Sequence, residues 1–391
     1  DQAVGMIDQP LQLAAVFLAV VLLSVWLDAR YSWARKISPV VLILFFAGLV
    51  SNVGLITDRS TFYDGLAGFT VPFAVCLILF TVNLADLKKT GGPLLAAFAI
   101  ACVGTMIGVL SAGLLVNSQL AKVLGDETWK LAGPFVGTYT GGSLNFFALW
   151  DGLEIGNPDL FAAANAVDNL TLFPLFAVWV LIPGWLGKYF PAGERWGTIG
   201  AIDEAAEPEA PTEFRMLDIV FLTFAALAIM VASVLIKTHW IAGFMPSFPT
   251  ILIVTTLALI LAQFPFIGRL QGAFEMGNLS FYLCFCAVGA MINVKMAIVL
   301  SPILFIYVMI MVVVHLVSVY GIGRLFRLDI RVLTIASAAA KTGPPSVIAL
   351  ANVHGWRTLV LPGVAMGLLG YAVGNYLGFG AAYAMKALLG Q

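Results

Sequence analysis

The chain has 391 residues, 61% hydrophobic and only 10% charged, with a formal net charge of -1 and a mean hydropathy of +0.99. A soluble domain carries roughly 25% charge, so the composition describes an all-α polytopic membrane protein and gives no reason to expect nucleic acid as a partner. Cys76, Cys102, Cys284 and Cys286 lie in apolar segments at spacings that fit no zinc site and read as small buried hydrophobes. No Walker sequence, G-x-S-x-G or H-E-x-x-H occurs, which leaves ATP-driven transport, hydrolysis and enzymatic function in general without support.

Apolar runs lie near 11–27, 37–56, 66–84, 93–116, 131–152 and 159–186, and a second set near 216–236, 246–264, 274–293, 297–323, 332–353 and 357–388. Each is long enough for a span of about twenty residues. No basic stretch precedes the first run, so it reads as a true span and not a cleaved signal. Between the sets, Glu194, Asp203, Glu204, Glu207, Glu209 and Glu213 stand among Ala and Pro. Such a segment buries little apolar area and reads as a solvated linker. The chain thus divides into a first membrane repeat over 1–192, an acidic linker over 193–214 and a second repeat over 215–391.

The halves carry matching signatures. An apolar span ends at Asn83 in one and at Asn293 in the other, with Lys soon after. Two segments later comes a break: Gly137-Thr138-Tyr139-Thr140-Gly141-Gly142-Ser143-Leu144-Asn145 in the first half, Ala340-Lys341-Thr342-Gly343-Pro344-Pro345-Ser346-Val347 in the second. Unpaired main-chain groups in lipid cost several kcal/mol each, so broken backbone at membrane depth needs protein or a watery cavity around it. A break in each half points to a transporter binding site.

Charge placement separates two topologies. If all twelve segments cross, Lys and Arg split eleven to eight at best, Lys341 left out. If both broken segments re-enter, thirteen fall inside and six (Arg59, Lys122, Lys130, Lys237, Lys295, Lys386) outside. Cytoplasmic loops carry the excess of Lys and Arg. The expectation is therefore two inverted five-helix repeats, each with a re-entrant hairpin, with both termini outside and the linker cytoplasmic; a broken helix that crosses is the rival. Arms of ten residues rise about 15 Å, half the hydrocarbon core, so Lys130 to Tyr139 and Ser143 to Gly152 would bring the first tip to the midplane, where it meets the second.

At such tips helix N-termini attract anions and freed carbonyls attract cations. Thr140, Gly141, Gly142, Ser143 and Asn145, with Thr342, Gly343, Pro344 and Ser346, are the candidate solute-binding residues; a packing kink is the plainer reading. Asp168, beside Asn169 in an apolar run, is the leading coupling-ion residue for Na⁺ or H⁺, because a mid-membrane charge is costly and faces a cavity or a partner. Lys341 stands where the first half has Tyr139. It could pair with Asp168, bind an anionic solute, take a sodium ion's place, or snorkel to water. Asn83 and Asn293 read equally as neutral cation ligands or interfacial residues. His315 reads as a satisfied interhelical bond before a proton relay. Gly363, Gly367, Gly370, Gly374 and Gly378 read as a packing stripe.

The stretches Val136 to Phe146, Ala166 to Leu170, Gly355 to Gly363 and Leu369 to Gly374 resemble the domain-of-unknown-function 819 family of bacterial membrane proteins, over nearly the whole chain. That family is similar to the group holding cation/proton antiporters, bile-acid symporters and glutamate sodium symporters. The resemblance implies a multi-pass carrier of the bacterial inner (plasma) membrane, with inverted repeats and a scaffold-plus-mobile-core design. In the family, Asn residues precede the second break; here Ala338 and Ala340 fill those places, which puts sodium binding in doubt and favours protons. The reading is a secondary active transporter of a small anionic organic solute, with no cofactor beyond a coupling ion. Its partners are that solute, the lipid bilayer and, as an open option, a second copy in a homodimer. The alternatives are a cation/proton antiporter without organic substrate and a non-transporting membrane sensor.

Overall fold

The computed structural model describes residues 6–32, 34, 39–84, 91–191, 215–243, 245, 248–292 and 294–391. The acidic linker and Asn293 lie outside the described residues. Among the described residues, the first half has seven helices: α1 (Pro10–Arg30), α2 (Pro39–Asn52), α3 (Thr61–Leu79), α4 (Gly92–Leu124), α5 (Ala132–Gly141), α6 (Ser143–Gly152) and α7 (Pro158–Leu186). Seven follow in the second: α8 (Met216–Ile236), α9 (Thr250–Ala262), α10 (Ala273–Ala290), α11 (Val294–Leu325), α12 (Ile330–Thr342), α13 (Pro344–His354) and α14 (Val360–Leu389). Long and short helices recur in the same order in both. Among the described residues, eight helices are long and apolar enough to cross a membrane, and α2 and α9 are shorter apolar helices. This is a polytopic helical membrane protein.

Local chemistry sets the ends. Ser60, Asn157 and Asp329 cap α3, α7 and α12 by accepting from Phe62 N, Leu160 N and Arg331 N, each satisfying one amide that a helix start leaves open. Proline opens α1, α7 and α13, where its missing N–H costs nothing.

The helices sort into two units, each drawn from both halves. In one, α3 packs on α10, flanked by α1, α2, α8 and α9. In the other, α4 packs on α11, with α5, α6, α7, α12, α13 and α14 around them. Contact between the units is sparser and runs through α3 with α6, α7 with α10, and α9 with α14. Aromatic rings line this seam: Phe147 of α6 lies 4.0 Å from Phe285 of α10, centroid to centroid.

Helices α5 and α6 form a hairpin. The space a Cβ would take at Gly137 is filled by a Leu149 methyl, and at Gly133 by a Leu153 methyl. In a straight helix residues 133 and 153 would stand about 30 Å apart, so the arms run back on each other. The turn is Gly142, φ 78° and ψ 177°; in the second half it is Gly343, φ 71° and ψ -154°. Both lie in a region open essentially to glycine alone. Aligned on these turns, Lys341 matches Thr140 and not Tyr139, a one-residue correction to the motif alignment. The sequence counts Thr-Gly pairs, whereas the fold breaks at the glycine just before the next helix.

Both hairpins lie along α14. A Cβ at Gly363 would meet Val347 and Ile335 at 2.6 and 2.7 Å, and at Gly367 the Gly343 Cα at 2.8 Å. At Gly370 it would meet the Thr140 carbonyl and, at 3.0 Å, the Gly141 Cα; at Gly374 it would strike Asn145, and at Gly378 Leu149. The hairpins thus approach from opposite ends of α14 and their tips meet between Gly367 and Gly370. The glycine steps are the packing stripe the spacing suggests.

Replacing Gly142 or Gly343 by Ala should cost about 1–3 kcal/mol each, read as a lower melting temperature in detergent. Gly65→Ala and Gly68→Ala, where a Cβ meets open space, should leave it nearly unchanged.

Candidate functional site

The two tips touch. A Cβ on Gly142 would lie 3.6 Å from the Thr342 carbonyl carbon, and Tyr371 of α14 closes over both, 3.5 Å from that position and 2.8 Å, through its hydroxyl, from the one on Gly343. Thr140 and Thr342 donate their hydroxyls to the Val136 and Ala338 carbonyls one turn back, at 2.7 and 3.1 Å. Their donors are spent within their own helices, and only acceptor lone pairs remain for another group. Asn145 donates to the Gly370 carbonyl at 3.0 Å, which ties the second arm to α14. Ser143 and Ser346 are half-buried in the first turns of α6 and α13. Pro344 and Pro345 carry no N–H, so the second tip presents fewer amide donors than the first.

Beside the tips stands a buried ion pair. Lys341 Nζ lies 2.6 Å from Asp168 Oδ1, with each side chain 3% exposed. Thr138 donates to the other carboxylate oxygen at 3.2 Å and accepts from Lys341 at 3.4 Å. The Tyr139 ring supplies a π-face 4.1 Å from the ammonium, a favourable cation contact. Lys341 also sits in the last turn of α12, where the helix dipole favours a cation. Of the roles open to Lys341, pairing is realised; it does not snorkel.

One turn from Asp168 on α7, Asn169 donates to the Asn165 backbone carbonyl at 2.9 Å and side-chain carbonyl at 3.2 Å. Asn165 Nδ2 and the Tyr139 hydroxyl are buried without a hydrogen-bond partner among the described residues. Asn83 is exposed beyond the end of α3, in the other unit, so it takes no part in this cluster.

A second network runs through His315. The directions that leave no donor unmatched start at Trp179 Nε1–H, which donates to Ser337 Oγ at 3.0 Å. Ser337 donates to His315 Nε2 at 2.8 Å, and His315 Nδ1–H to Thr105 Oγ1 at 2.9 Å. Thr105 shares its proton between the Ala101 carbonyl of its own previous turn, at 3.0 Å, and the Tyr139 carbonyl, at 3.1 Å. The break at Gly142 deprives that carbonyl of its helical partner. Thr105 supplies the bond, and a neutral imidazole links α4, α11 and α12. Thr105, Ser337 and Trp179 escape sequence reasoning, and Thr138 and Tyr371 stand there only inside quoted motifs, with no role assigned. A lone hydroxyl in an apolar helix normally bonds its own previous turn, so it carries no sign of a distant partner.

A protein-family model described as "Protein of unknown function (DUF819)" matches residues 15–388. The chain belongs to the DUF819 family. A relative in Bacillus subtilis (strain 168), described as the uncharacterized membrane protein YjcL, is 30% identical over 380 residues, spanning 93% of each chain. The pair, the tips and the α14 stripe are therefore features of a DUF819 protein whose membrane location rests on composition and kinship alike.

Removing one member of a buried pair strands the other charge, at about 3–5 kcal/mol. Lys341→Met and Asp168→Asn should each lower the melting temperature sharply, and the double variant should recover most of the loss. Equal destabilisation in the double variant would contradict the pairing.

Proposed function

We propose that this DUF819 protein is a secondary active transporter of a small organic solute, working by alternating access. One observation carries the reading: a glycine-broken hairpin from each half meets its counterpart tip to tip beside the buried Asp168–Lys341 pair. Broken main chain held inside protein, one break per half, is how carriers build midplane sites. The equivalent helices α3 with α10, and α4 with α11, pack against each other across the halves, as five-plus-five inverted repeats with re-entrant hairpins would require. The sparse seam between the units supports a six-helix scaffold against which the hairpin-bearing unit moves.

Proton coupling fits the pair better than sodium. The Lys341 ammonium fills the place a metal cation would take on Asp168, already surrounded by a carboxylate, a hydroxyl and a π-face. Releasing this tethered cation takes a proton moved onto Asp168 or off Lys341. The N-terminus of α6 at Ser143 attracts an anion, which supports an anionic solute. A second reading, cation/proton exchange without organic solute, draws on the tight tip: beside Asn145 and Tyr371 the space is about 10 Å³, room for about one water. In the transporter reading this space widens as the units part.

Proteoliposomes loaded with a pH-sensitive dye and offered small carboxylates should show proton movement with solute uptake, insensitive to a sodium gradient and abolished by Asp168→Asn. Proton flux triggered by metal cations alone would favour the exchanger, and no flux above empty liposomes would overturn both.

Single cysteines placed at Lys130 and Arg327, at the bases of the two hairpins, should be labelled by an impermeant thiol reagent from opposite faces. Labelling from one face would refute the inversion.

A further inference from the structure

A cavity of about 650 Å³ opens on the seam at the base of the first hairpin, among Lys130, Lys237 and Lys386. These three belong to the set that the charge bias places outside. Three helices carry the lining from this vestibule toward the small space at the tips. On α3, Gly68 and Pro72 border the vestibule, and Val75 and Ile78 the tip space. On α6 the same order runs from Gly152 to Asn145, and on α14 from Tyr383 to Tyr371. Between Gly152 and Asn145 the helix rises about 10 Å.

Two layers of side chains close that interval, each shared between α9 of one unit and α14 of the other. In the first, a Phe379 ring carbon and an Ile251 methyl both lie 2.8 Å from the position of a Cβ on Gly152, and both residues are buried. One turn further along each helix comes the second. Asn375 Nδ2 donates to Thr255 Oγ1 at 3.0 Å, and both side chains are again buried. Thr255 gives its own proton to the Ile251 carbonyl at 2.8 Å, so toward Asn375 it can only accept. Asn375 Oδ1 is left without a partner among the described residues. A stranded buried acceptor carries a desolvation cost, so this layer holds the units together less firmly than an apolar pair of the same shape would. Packing alone gives no reason for an amide here; a contact that has to part does.

We propose that Phe379 and Asn375, with Ile251 and Thr255, form the gate between an outward-open vestibule and the hairpin tips. The inference rests on the transporter reading, to which it adds the route and the side. A solute enters among Lys130, Lys237 and Lys386, and the gate opens when α9 and α14 part. The bond between the Tyr376 and Thr256 hydroxyls, 2.8 Å at the exposed edge of the same contact, breaks in the same step. Once parted, Asn375 offers an amide donor and an acceptor to a solute passing toward the tips, which an apolar gate would not.

Thiol labelling of the full-length chain in oriented proteoliposomes tests it, with the four native cysteines replaced by alanine and a charged, impermeant methanethiosulfonate as the probe. A single cysteine at Thr250, in the vestibule, should react from the outside. One at Leu144, in the tip space, should react at least tenfold more slowly. Phe379→Ala and Thr255→Val should each speed the reaction at Leu144→Cys at least threefold and leave that at Thr250→Cys unchanged. Thr255→Val keeps the side chain's shape, so it carries the test if Phe379→Ala fails to fold. The gain should appear only with reagent outside, because a generally loosened fold would admit it from both faces. Equal rates at the two cysteines in the parent chain, no gain in Thr255→Val, equal gain from both faces, or labelling of Thr250→Cys from the inside alone would overturn the gate. Solute flux does not enter this readout: flux without gated labelling would sink the gate and keep the transporter, and gated labelling without flux would do the reverse.

Discussion

Main-chain amides and carbonyls inside an apolar protein must find partners, and this requirement organises the molecule. Two helices are interrupted deep in the fold, at Gly142 and Gly343, and the groups so freed have to be answered locally. The Thr138 and Ala339 carbonyls keep ordinary helical partners in Gly142 N and Gly343 N, but the Tyr139 carbonyl loses its own and is reached by Thr105 from α4. Asn145 in turn donates to the Gly370 carbonyl of α14, a bond that needs the two backbones close. The glycines of α14 allow that approach: a side chain there would hold the tips away from each other and from their partners.

The ion pair follows from the same closeness. Desolvating two charges costs several kcal/mol per ion, and attraction repays it only with good geometry and added hydrogen bonds. Thr138 provides the added bonds, and Tyr139 the π-face. His315 holds both sides of this arrangement: Ser337 lies one helical turn before Lys341, and the Tyr139 carbonyl belongs to the residue whose ring faces the ammonium. The imidazole therefore acts as a strut between the hairpins, with one nitrogen donating and the other accepting.

Much of this was legible in the sequence because membranes make sequence loud. Apolar runs and the two Thr-Gly breaks yielded the helices and the arms near 132–141 and 143–152, and they singled out Asp168 and Lys341, with pairing as one of several roles left open for Lys341. The failures share a cause. Which glycine turns the chain depends on the φ and ψ that the next helix demands, so the motif alignment slipped by one residue at Lys341. Asn83 reads equally as a cation ligand or an interfacial residue because ending a span says nothing of which unit the span joins. Thr105 and Trp179 are invisible to pattern because their roles rest on contacts with residues far along the chain.

The charges of the central pair are 173 residues apart in sequence. At roughly 5–20 residues per second, a ribosome takes about 10–35 s to deliver the ammonium after the carboxylate has emerged. For that interval the half-made protein carries an acidic group on α7 without the ammonium that later pairs with it, so the carboxyl must be protonated or stay beside water or another protein. Biogenesis of this fold is thus exposed to quality control until its second half arrives.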